Sequence, residues 1–157
     1  MRRQERQITD ISAIDNILRE SKVCRLGIAD PAAAAPYVVP VSYGYEWLKG
    51  RLRLVFHGAC AGRKHNLLRC EPQVGFEVDC CPLLLPGDTA CQYGAAYRSV
   101  IGAGKVHILA GSDEKHRAVD LLMLCQTGQT PPVEEDALGK TAVYELLAEV
   151  FTAKGCW

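Results

Sequence analysis

Arg51-Leu52-Arg53-Leu54-Val55-Phe56-His57 runs directly into Gly58-Ala59-Cys60-Ala61-Gly62-Arg63-Lys64, and the reading of this stretch decides the fold. The first seven residues alternate, with Leu52, Leu54 and Phe56 inward and Arg51, Arg53 and Val55 outward, the period of a half-buried strand. Gly58 to Gly62 is a flexible break, after which Arg63 to Arg69 forms a short helix ended by Glu71-Pro72. Upstream, Thr9 or Asp10 can cap a helix whose Ile11, Ile14, Ile17 and Leu18 recur at helical spacing as far as Ser21. Val23 to Ala29 reads as a strand with Cys24, Leu26 and Ile28 on one face. Pro36 to Tyr45 reads as another, and its two prolines, which cannot donate to a ladder, place it at an edge or a bulge.

Downstream, Gln73 to Asp79 alternates through Val74, Phe76 and Val78, and Tyr97 to Leu109 is a long strand. Between them Cys80 to Ala95 keeps no period and reads as a long loop. Ser112 supplies the capping hydroxyl of a helix carrying Val119, Leu122, Met123 and Cys125. Gly128 to Lys140 is a proline-rich, acidic connection, and Thr141 to Lys154 is a final strand. Six or so strands joined by turns too short for parallel crossovers predict a mainly β fold. The expected architecture is a closed or nearly closed antiparallel β-barrel with peripheral helices, formed by residues 1–157 as one domain.

Composition narrows the function. The chain has 157 residues, 18 Lys+Arg against 18 Asp+Glu, and 48% hydrophobic residues, which excludes a wholly disordered chain. Zero net charge argues against a non-specific nucleic-acid partner, and Arg2, Arg3 and Arg6, interrupted by Glu5, read as a solvated terminus. No apolar run approaches a membrane span and no signal-peptide core follows Met1, so a cytoplasmic protein without a membrane partner is expected. In that compartment the eight cysteines are expected as free, buried thiols. The adjacent Cys80-Cys81 pair could otherwise form only a strained bridge or a soft-metal contact.

Two adjacent cations at a helix start are unfavourable for the helix dipole unless an anion lies there, and Arg and Lys together suit a terminal phosphate. Solvated surface residues explain the same dipeptide equally well from local sequence alone. Gly58 to Lys64 is not a Walker loop, because it has one residue too few between the glycines and Arg63 in the Lys position. Gly102-Ala103-Gly104 lacks the third glycine and the helix of a dinucleotide fingerprint.

Taken in order, several blocks resemble the FMN-binding split barrels related to pyridoxamine 5'-phosphate oxidase, most closely the 5-nitroimidazole-resistance (Nim-type) branch. The blocks are Ile14 to Leu18, Val23 to Ala29, Pro36 to Tyr45, Phe56 to Ala59 with Gly62-Arg63-Lys64, and Arg98 to Gly102 with Gly104-Lys105. The resemblance implies a six-stranded antiparallel split barrel that forms a homodimer, with FMN at each of two subunit boundaries. It makes Arg63 and Lys64 the phosphate pair, and Phe56 and His57 strand-end contacts, partly through backbone. Val39, Pro40, Val41 and Ser42 become the strand along the flavin ring, while Ser99 replaces a Gln that faces the ring, with Arg98 beside it. Val39 stands where the oxidase has Arg, Gly62 where it has Ser, and the oxidase's C-terminal substrate-binding motif, with its Trp and Arg, has no counterpart in Phe151 to Trp157. These departures point away from pyridoxamine-phosphate oxidation.

The function implied is an FMN-dependent oxidoreductase, nitroimidazole reductase-like, passing electrons from a reduced nicotinamide donor to a small electrophile such as a nitroaromatic compound. A non-enzymatic flavin-binding or sensing module and a haem-binding split barrel are the alternatives, and no catalytic dyad stands out. His57 can contact the phosphate, face the flavin or cap its strand. His57, Cys60 and His65 have no standard zinc spacing, so no metal is expected there. Cys60 reads as a buried thiol, although Arg63 and Lys64 could activate it. His107 and His116 read as structural, and Tyr43, Tyr45, Tyr93 and Tyr97 mostly as barrel packing, with one of them available to stack on the flavin.

Overall fold

A buried Tyr43 divides the expected Pro36–Tyr45 strand in two, and that division closes the sheet on itself. The computed structural model describes residues 3–156, so Arg2 of the basic cluster and Trp157 lie outside the described residues. Its strands are β1 (Gln7–Ile8), β2 (Val23–Ile28), β3 (Tyr37–Ser42), β4 (Gly44–Leu48), β5 (Arg51–Ala59), β6 (Gln73–Leu85), β7 (Gly94–Ile108) and β8 (Thr141–Cys156). Its helices are α1 (Ile11–Glu20), α2 (Arg63–Leu68), α3 (Ser112–Thr127) and α4 (Glu135–Gly139). The sheet has eight strands rather than six, in the order β3-β2-β6-β7-β8-β5-β4 with β1 added to β8. Every ladder is antiparallel. β3 and β4 end opposite edges of this path yet are consecutive in the chain. The turn at Tyr43 therefore joins the two edges and curls the sheet into a split barrel.

The turn is fixed by packing. Tyr43 is 1% exposed and its hydroxyl donates to the Leu18 carbonyl of α1 at 2.7 Å. A Cβ on Gly44 would lie 2.6 Å from the Leu122 Cα, so glycine lets α3 press directly on the strand. α1 starts as expected at Asp10, whose carboxylate accepts from the Ala13 N–H at 2.9 Å. It buries Ile14, Ile17 and Leu18 against the barrel and leaves Ile11 exposed. The barrel core gathers Leu26, Leu52, Leu54, Phe56, Phe76, Val78, Val100 and Leu146 from the inner faces of β2, β5, β6, β7 and β8.

Several sequence expectations need correction. Val55, assigned to the outer face, is fully buried, because α3 and α4 cover that face with Ala118, Leu122 and Leu138. Cys80 to Ala95 is not a long loop: β6 and β7 extend through it as a hairpin arm, leaving a short turn around Ala90–Gln92. The period fails there because a β-bulge lies between Cys80 and Leu83, where three steps on β6 match two on β7. Ser112 does not cap α3: Gly111 occupies that position and the Ser112 hydroxyl lies 3.5 Å from Glu135. The helix α4 inside the acidic connection was not expected from the sequence.

A second bulge sits in β8. Gly104 faces Ala148 while Ala103 faces Val150, so Glu149 is the extra residue. A Cβ at Gly104 would overlap the Leu147 carbonyl oxygen, which is why this strand position takes glycine. On the outer face, Val38, Gly27, Gly75, Ala103 and Val150 are register neighbours across five strands and form one smooth apolar row. Among the described residues, no helix is long and apolar enough to cross a membrane.

Candidate functional site

Strand β5 carries the candidate site to the rim of the barrel. Phe56, its last inward residue, is 1% exposed and stacks on Tyr144 of β8 with ring centroids 5.1 Å apart. Its side chain is core, so only its backbone can reach a ligand. His57 follows on the exposed side of the strand. The chain then turns through Gly62, whose φ of 98° lies in the left-handed region that glycine adopts without strain. Because Gly62 offers no side-chain cap, the first N–H groups of α2 are left open beside Arg63 and Lys64.

The two cations are held in place by different means. Arg63 donates through Nε to Asp30 Oδ2 at 2.8 Å, with a second guanidinium contact at 2.6 Å, and its guanidinium lies 4.6 Å above the Tyr37 ring. Arg63 lowers the Asp30 pKa, helped by the Ala32 N–H, so this carboxylate stays ionised. Lys64 folds back over the end of β5, and its Nζ donates to the His57 carbonyl at 3.1 Å. A Cβ on Gly58 would stand 2.6 Å from that Nζ, so the bare glycine makes the room the ammonium occupies. Burial lowers the Lys64 pKa. Partial burial, and then the Lys64 charge, lower the His57 pKa, so its imidazole is neutral at pH 7.

Arg63, Lys64 and His57 are thus brought together at one rim, next to the first residue of β3. Along β3, Val41 is buried and Val39 packs on the core, while Pro40 and Ser42 are exposed. Of these four, only Pro40 and Ser42 present side chains outward. β3 is an edge strand, one of the two placements its proline allowed.

Arg98 and Ser99 lie elsewhere. His57 faces Val143 on β8 whereas Ser99 faces Lys154, a separation along that strand of roughly 36 Å at ~3.3 Å per residue. Within one chain the two groups do not converge. Arg98 donates to Glu20 at 2.7 Å and to the Cys81 sulfur at 3.1 Å, and Ser99 is 8% exposed beside Asp79. Asp30, Tyr37 and Glu20 were not singled out from the sequence. Asp30 is 33 positions from Arg63, and nothing local marks the pairing.

The remaining histidines and thiols resolve separately. His65 shares a hydrogen bond with the Tyr144 hydroxyl at 2.9 Å, and the Cys60 thiol donates to the Lys140 carbonyl at 3.2 Å. His107 faces Glu71 at 3.1 Å and His116 faces Glu135 at 2.6 Å. All eight cysteines are free, but only Cys24 and Cys80 are buried; Cys60, Cys70, Cys81 and Cys91 are exposed, contrary to the expectation for small apolar residues.

A split barrel with a paired cation rim is the class that fold and site define. The pyridoxamine 5'-phosphate oxidase family model matches residues 10–154, and the chain belongs to that family. Among solved structures it is similar to a candidate 5-nitroimidazole antibiotic resistance protein from Bacteroides thetaiotaomicron. That match has 26% identity over 95% of this chain and 86% of the other, with a TM-score of 0.80. The flavocytochrome Anf3 from Azotobacter vinelandii matches at 20% identity over 100% and 72% of the two chains, with a TM-score of 0.80. The FAD and heme binding protein from Mycobacterium smegmatis matches at 18% identity over 96% and 73%, with a TM-score of 0.81. At those identities the last two show the fold. No curated protein matched the sequence.

Proposed function

We propose that this chain is an FMN-binding oxidoreductase that works as a homodimer and passes electrons from a reduced nicotinamide nucleotide to a small electrophile such as a nitroaromatic compound. The observation that carries the reading is the rim where Arg63 and Lys64 meet. Arg63 is aimed by Asp30 and Tyr37, Lys64 lies over the bare backbone of Gly58, and the uncapped start of α2 faces the same space. A phosphate monoester fits this donor set, since Arg63 keeps donors beyond those given to Asp30 and Lys64 keeps two beyond the His57 carbonyl. The bound flavin supplies the two-electron chemistry. The chain's own part is to bind and orient: Arg63 and Lys64 hold the anionic tail, the backbone at Phe56 and His57 borders it, and Pro40 and Ser42 line the exposed edge of β3.

His57, neutral at pH 7, can offer one ring donor and one acceptor at this rim without adding a cation. Arg98 and Ser99, too far away in the same chain, are read as the half that a second copy brings to the site. The apolar row Val38-Gly27-Gly75-Ala103-Val150 supports such a copy, with Val38 64% and Val150 65% exposed. The similarity to the Bacteroides protein supports a nitroaromatic acceptor. The apolar cleft beside His57, lined by Val119, Met123 and Leu138, is about 180 Å³, too small to seat a haem on that histidine. Pockets for drug-sized ligands begin near ~300 Å³.

Purified protein titrated anaerobically with FMN, and then with NADH and NADPH, tests the proposal. Expected are saturable quenching of flavin fluorescence, bleaching of the flavin band by one nicotinamide nucleotide, and reoxidation by a nitroimidazole. Tight flavin binding without reduction would leave a non-enzymatic flavin module, and a Soret band on haem addition would replace the reading. Sedimentation should give a dimer that Ile101→Glu, at an exposed position two residues from Ala103 on β7, together with Val150→Glu dissociates.

A further inference from the structure

The bulge in β6 does something that a regular strand cannot. In an unbroken strand Cys80 and Cys81 would point to opposite faces. Cys81 instead adopts a φ of 57°, in the left-handed region that is unfavourable for a residue with a side chain. With that turn, both sulfurs come to the same place as the Glu20 carboxylate at the end of α1. One ligand atom from each of Glu20, Cys80 and Cys81 lies within 4.8 Å of the others. The Cys81 thiol donates to Glu20 Oε2 at 2.9 Å, and Arg98 bonds both groups from behind.

We infer that Glu20, Cys80 and Cys81 form a binding site for a thiophilic metal ion of the zinc class, with Arg98 as its charge-balancing neighbour. The donor types are right: two sulfurs and a carboxylate are a mixed set that zinc accepts, with room for a water as fourth ligand. Tetrahedral coordination at about 2.3 Å from sulfur and about 2.0 Å from oxygen needs ligand atoms roughly 3.5–3.8 Å apart. The ligand atoms now lie within 4.8 Å of one another, with Cys81 Sγ 2.9 Å from Glu20, so binding calls for shifts of about an ångström. Binding replaces two thiol protons, which leave to solvent, by one doubly charged ion. The two thiolates and the carboxylate then carry three negative charges, and the ion with the Arg98 guanidinium cancels them.

Access is provided from both sides. Cys81 lines a cleft of about 420 Å³ together with Ile8, Asn16 and Arg98, and a second of about 560 Å³ with Lys22 and Asp79. The site lies at the far end of the sheet from Arg63; it shares Arg98 with the half a second copy would bring to the flavin, but its own ligands, Glu20, Cys80 and Cys81, take no part in that reading. The left-handed turn at Cys81 has no packing reason of its own, because this residue is exposed. Holding two adjacent sulfurs beside a carboxylate is the reason the geometry offers.

The test uses the untagged, reduced full chain dialysed against Zn²⁺, with retained metal measured by elemental analysis and the first shell by zinc X-ray absorption. Expected are one zinc per chain and two sulfur neighbours at about 2.3 Å. Cys80 is buried and its replacement could unfold the arm, so the exposed residues carry the decision. Cys81→Ser should weaken zinc binding about 100-fold and remove one sulfur from the shell. Glu20→Gln should weaken it by about 10–100-fold with both sulfurs kept. Cys91→Ser, in the turn beyond the arm, should bind as the unmodified chain does. No retained zinc, a shell with fewer than two sulfurs, or unchanged affinity in Cys81→Ser with native circular dichroism would overturn the site.

Discussion

Arg63 and Arg98 stand at opposite ends of the same sheet, and each rests on one carboxylate, Asp30 for the first and Glu20 for the second. The neighbours differ. Beside Arg63 lies a second cation, Lys64, and the neutral His57; beside Arg98 lie two thiols, Cys80 and Cys81. The first rim therefore holds one positive charge more than its carboxylate cancels. The second is balanced until its thiols ionise. An arginine–carboxylate pair of this kind sets direction and rigidity; what the end of the barrel can bind is decided by the third partner.

The strongest way to break this contrast is to remove the surplus charge. Arg63→Ala with Lys64→Ala should weaken FMN binding by about 3–6 kcal/mol, since each charge-assisted contact contributes ~1.5–3, as read by flavin fluorescence titration. Unchanged affinity would take the phosphate away from this rim. A finer cut is Gly58→Ala, whose Cβ meets only the mobile end of Lys64. The fold should lose less than ~0.5 kcal/mol in thermal unfolding, while FMN affinity drops about tenfold. Equal losses in both would mean that Gly58 serves the strand and not the ammonium.

Two pH experiments separate the ends further. Lys64 is buried enough that its pKa lies below the ordinary lysine value of 10.5, so its charge is lost early as pH rises. FMN affinity should fall as pH climbs through that lowered value, and Lys64→Arg should remove the fall whatever it does to the affinity itself. At the other end, the Cys81 thiol and then Arg98 hold the Glu20 pKa below 4.5. Its small contribution to stability is present above that unfolded value and disappears as pH falls through the lowered folded one. Glu20→Gln should flatten that part of the acid unfolding curve, the smallest of the four effects.

Local pattern made one end legible and left the other dark. The alternation through Leu52, Leu54 and Phe56, the glycine break and the Arg-Lys pair are contiguous, so rim and strand could be read together. The edge position of β3 was one of the two placements allowed by Pro40, which lacks an N–H. What escaped is set by distant partners. Asp30 reaches Arg63, and Glu20 reaches Cys81, only after the barrel closes. Val55 is apolar on the face reserved for charge because α3 lies on it, and a strand's own period cannot report a helix packed from elsewhere. The hairpin arm was hidden by its bulge, since one inserted residue destroys the very periodicity by which strands are recognised.

The second bulge has a consequence for how this chain can be recombined. Ala142, Tyr144, Leu146 and Ala148 turn inward at even positions, whereas Ala153 does so at an odd one, and the residue of slack at Glu149 reconciles the two phases. A chimera that joins the front of β8 to a relative's tail must inherit the donor's slip as well as its side chains, along with a glycine opposite to receive it. Without both, every later side chain of the strand would be delivered to the wrong side of the wall.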